Sequence, residues 1–78
     1  SDAWIDAISM NIERLLCERP LVNLGDDLVA VYGSTLGLAR ELHVRKAWDQ
    51  LTERGVASSR DKKLRTLARG TVRRATSD

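Results

Sequence analysis

Phenylalanine is absent from this 78-residue chain, and the only aromatic rings are those of Trp4, Tyr32 and Trp48. Clustered rings are what single-strand and RNA modules use to stack bases, so a stacking platform is disfavoured. The one cysteine, Cys17, has no internal partner, which removes a disulfide framework and points to a reducing compartment. Its place in an apolar helical segment predicts a small packing residue. A single histidine, His43, and a single cysteine leave a His/Cys metal site without ligands. Asp26-Asp27 lacks the further oxygens that a calcium loop needs, and a helix start is the simpler reading. No apolar run approaches the ~20 residues that span a bilayer. Ser1-Asp2-Ala3-Trp4 carries no basic or apolar leader region, so a cytoplasmic location is expected. The glycines at 25, 33, 37, 55 and 70 match neither a Walker loop nor a dinucleotide fingerprint. A chain this short also has little room for the ~300 Å³ or larger pocket usual for a substrate. The expectation is a binding protein, not an enzyme, with no cofactor.

What is abundant is charge, and it is unevenly placed. Residues 1–39 carry Arg14 and Arg19 against Asp2, Asp6, Glu13, Glu18, Asp26 and Asp27, a net of −4. Residues 40–78 carry eleven Lys or Arg against Glu41, Asp49, Glu53, Asp61 and Asp78, a net of +6, so the overall +2 conceals a polar split. Basic clusters seek polyanions, and an acidic half beside a basic one also permits head-to-tail self-association.

The periodicity is helical throughout. Ile5, Ile8, Ile12, Leu15 and Leu16 recur at steps of three and four, predicting a helix over 2–18 that Asp2 or Ser1 caps and Pro20 ends. Leu21–Gly25 reads as a connector, Asp26 as the N-cap of a second helix through Leu28, Val31 and Tyr32, and Gly33-Ser34-Thr35 as a break. A further helix carrying Leu36, Ala39 and Leu42 leads to a turn at His43-Val44. Ala47, Trp48 and Leu51 then line a helix that Gly55 closes, and Leu64, Leu67, Ala68 and Val72 form the stripe of a basic C-terminal helix. The predicted fold is all-α, a compact bundle of four to five short helices, with a helix-turn-helix as one form of it. Residues 1–75 make a single domain and 76–78 a frayed end.

Leu38-Ala39-Arg40-Glu41-Leu42-His43-Val44-Arg45-Lys46-Ala47-Trp48 resembles the centre of helix-turn-helix DNA-binding domains, over about 20 residues. In that pattern a small Ala lets two helices cross closely, apolar residues lock their angle, and a short turn aims the second helix at the major groove. Ala39, Leu42 and Val44 match those roles. His43 stands where the turn glycine is usual, and Asp49 where an apolar residue is usual. The resemblance implies that Arg45, Lys46, Asp49 and Gln50 face the groove, Arg reaching guanine and Gln adenine, with Asp49 accepting from cytosine or repelling phosphate.

A small double-stranded-DNA-binding transcriptional regulator, dimeric on a two-half-site operator, is therefore the leading expectation. Its contacts would come from Arg40, Arg45, Lys46 and Gln50, and from the basic segment Arg60, Lys62, Lys63, Arg65, Arg69, Arg73 and Arg74. The alternative is a helical protein–protein interaction module, an adaptor or inhibitor with no nucleic-acid role. A lipid surface is disfavoured, because Leu64, Leu67 and Val72 would be diverted from the core and no aromatic residue lies near them.

Overall fold

A computed structural model describes residues 2–59 and 70–75. Helix α1 (Asp2–Glu18) leads to strand β1 (Leu21–Asn23), helix α2 (Leu28–Tyr32) and a 3₁₀ turn (Gly33–Thr35); helix α3 (Glu41–Glu53) and strand β2 (Thr71–Arg73) complete the order. The four-to-five-helix all-α bundle is thus corrected: the described residues hold three α-helices and an antiparallel β1–β2 pair.

The sheet is hidden in two places. Leu21-Val22-Asn23, a connector by composition, pairs Leu21 with Arg73, Val22 with Val72 and Asn23 with Thr71. Val72, expected on a helical stripe, is instead an inward-facing strand residue, fully buried opposite Val22. The other edge of β2 meets Ala57 in a bridge to Arg74, where Ser58 N–H donates to the Arg73 carbonyl at 2.9 Å and Ala75 N–H to that of Val56 at 3.0 Å. Strand β2 is therefore flanked on both sides, and such short strands survive because each backbone group finds a partner. The remainder of the expected basic C-terminal helix, 60–69, lies outside the described residues.

Helix α1 forms where its period places it, burying Ile8, Ile12 and Leu16, with Ile5 and Leu15 packed at the edge. Cys17 is exposed, which corrects the packing role expected for it. Helix α3 adds Val44, Ala47, Trp48 and Leu51; Val22, Leu24, Val31, Ala57 and Val72 close the core. Three cross-links ascend the two long helices in step. Trp4 meets His43 edge-on at 5.2 Å, Ser9 Oγ donates to Gln50 Oε1 at 2.7 Å, and Arg54 pairs with Glu13 at 3.3 Å. The two helices accordingly run alongside each other in the same direction.

The start of α2 also differs from expectation. Asp27, not Asp26, occupies the N-cap position; its carboxylate accepts from the Asn23 N–H at 3.1 Å and pairs with Arg19 at 3.2 Å. At its other end Gly33 adopts φ +55 and ψ −127, a region that side chains avoid, and a Cβ there would lie 2.7 Å from Asn11 Nδ2. That amide donates to the Val31 carbonyl at 3.0 Å, so the glycine makes room for the bond that ties α2 to α1.

Leu51→Ala, at a fully buried site, is expected to cost about 2–5 kcal/mol in urea unfolding. Gly33→Ala should cost about 1–3 kcal/mol through backbone strain and displacement of Asn11, measured the same way.

Candidate nucleic-acid interface

The turn that the helix-turn-helix resemblance puts at His43-Val44 lies earlier. Thr35–Ala39 forms it, with Leu38 N–H and Ala39 N–H both donating to the Thr35 carbonyl at 2.9 Å and Gly37 at φ +86. The chain is extended at Arg40 (φ −116, ψ 172), and α3 then starts at Glu41, so His43-Val44 sits inside its first turn. The expected helix carrying Leu36, Ala39 and Leu42 as one stripe is corrected with it. Ala39 alone packs against the core, while Leu36, Leu38 and Leu42 are exposed. Helical spacing misleads here because a leucine-rich turn preserves the same three-residue recurrence.

His43 acquires a role that follows from this register. Its Nδ1 accepts a hydrogen bond from the Arg40 backbone N–H at 2.9 Å, satisfying a donor just ahead of the helix, while its ring meets Trp4. This fixes the N-terminus of α3 against that of α1.

The buried stripe of α3 determines what the helix shows to solvent. With Val44, Ala47, Trp48 and Leu51 inward, Leu42, Lys46, Asp49 and Glu53 are exposed and Arg45 is half-exposed. Arg40, Glu41, Arg45 and Lys46 sit in or before the N-terminal half, and Asp49 and Glu53 in the C-terminal half. Gln50 is half-buried, and its amide oxygen accepts from Ser9 Oγ, which turns it toward α1. An open groove of about 480 Å³ between α1 and α3 is lined by Asp2, Ile5, Asp6, Lys46, Asp49, Gln50 and Glu53. Its carboxylates, which surround Lys46, would repel a phosphate on that flank.

The two described cations of the basic segment part company. Arg73 is exposed on β2. Arg74 donates from Nε at 2.8 Å, and also from Nη2, to the Leu16 carbonyl, neutralising the C-terminal turn of α1, where no basic side chain is present. Arg60, Lys62, Lys63, Arg65 and Arg69 lie outside the described residues. The residues on either side of that stretch are described. After Arg54 the chain doubles back along α3: Val56 N–H reaches the Leu51 carbonyl, and the Ser58 carbonyl accepts from Trp48 Nε1 at 2.9 Å and from Thr52 Oγ1.

Burial, reinforced by the charge of Glu41, raises the Tyr32 hydroxyl above its ordinary range, which keeps it a neutral phenol beside this surface. Among the described residues, no group of three or more His, Cys, Asp or Glu is placed to hold a metal ion. No helix among them is long and apolar enough to cross a membrane. No family model, curated protein or solved structure matches the chain.

Arg74→Met is expected to lower stability by about 1–2 kcal/mol, since a charged donor leaves the Leu16 carbonyl. Arg73→Met should stay within about 0.5 kcal/mol of the parent in the same thermal or urea melts. Equal losses for the two would contradict the capping role of Arg74.

Proposed function

We propose that this protein is a small double-stranded-DNA-binding module, a transcriptional regulator of the cytoplasm, in which α3 is the reading helix. The observation that carries the proposal is the disposition of α3. One stripe is locked into the core and the opposite side offers Arg45 and Lys46, with Arg40 just before the helix and Glu41 and Asp49 one turn to either side of Arg45. Recognition helices use that end on base edges, while a preceding helix and turn set the approach. Here α2, the 3₁₀ turn and residues 36–40 occupy that place.

The charge of the sequence supports the same reading. The sequence after Ser58 carries Arg60, Lys62, Lys63, Arg65 and Arg69, which lie outside the described residues. Arg73 adds an exposed cation on the strand to which that sequence leads. Cations in that number suit several phosphate contacts, whereas Arg74 serves the fold and Gln50 the α1–α3 contact. A two-fold dimer on half-sites about 34–36 Å apart is the arrangement that gives a domain of this size a specific operator.

A protein partner is the second reading, favoured by Val29 at 70% and Leu38 at 58% exposure. Such a partner would dock on an apolar surface and be insensitive to the cations of α3.

Fluorescence anisotropy on duplex DNA across a salt series tests the proposal. The parent should bind, and replacing Arg45 and Lys46 with Ala should reduce the slope of log K against log salt by about 0.9 for each phosphate the variant no longer neutralises. Affinity weaker than about 100 μM for every duplex at low salt would overturn it, because non-specific binding alone is normally stronger.

A further inference from the structure

We draw no further inference here: the strongest candidate, the exposed apolar surface of Leu28 and Val29 on α2 with Leu36 and Leu38 in the turn beyond it, carries nothing, because nothing in the structure shows what covers it.

Discussion

The packing of α3 along α1 is the contact on which the rest of the molecule is organised. A helix that commits Val44, Ala47, Trp48 and Leu51 to one side has no freedom over what it shows on the other. The edge-on contact of His43 with Trp4 and the Ser9–Gln50 hydrogen bond fix both rotation and register, because either would break if α3 turned or slid by one residue. The outward side, with Leu42, Arg45, Lys46, Asp49 and Glu53, is the complement of that core, not a separately built feature.

Helix α1 is legible in the sequence because its five aliphatic residues repeat without interruption and Pro20 ends them. The apolar side of α3 is legible for the same reason, although its beginning is not. Between Thr35 and Arg40 the leucines at 36, 38 and 42 imitate a helical stripe, and only the hydrogen bonds to the Thr35 carbonyl reveal a turn. The strands leave no signal because each contributes three residues, too few for an alternating pattern. Their pairing joins segments some fifty positions apart, a fact about tertiary structure that local composition does not encode.

The candidate interface is legible by residue type and obscured in its orientation. Arg40, Arg45 and Lys46 stand out by their charge, and charge is what leaves them in solvent. Gln50 stands out by its pairing chemistry, but a buried serine on α1 claims its oxygen. Arg74 resembles its basic neighbours in sequence, and only tertiary structure brings the end of α1 within its reach. Leu42 passes for core because an exposed leucine and a buried one are the same letter.

The position of β2 has a consequence for how the chain matures. It lies between β1 and the bridge at Ala57, yet it is made after both, and the carbonyl at the end of α1 waits for an arginine 58 residues downstream. Helices α1 and α3 can associate on a growing chain, but the sheet cannot close until residue 75 has been synthesised. Non-local closure of this kind slows folding relative to a helical bundle of equal length. The nascent polypeptide therefore passes through an interval in which Val22 and the unpaired edge of β1 are uncovered, and its hazard is misassociation with neighbouring chains before the final strand arrives.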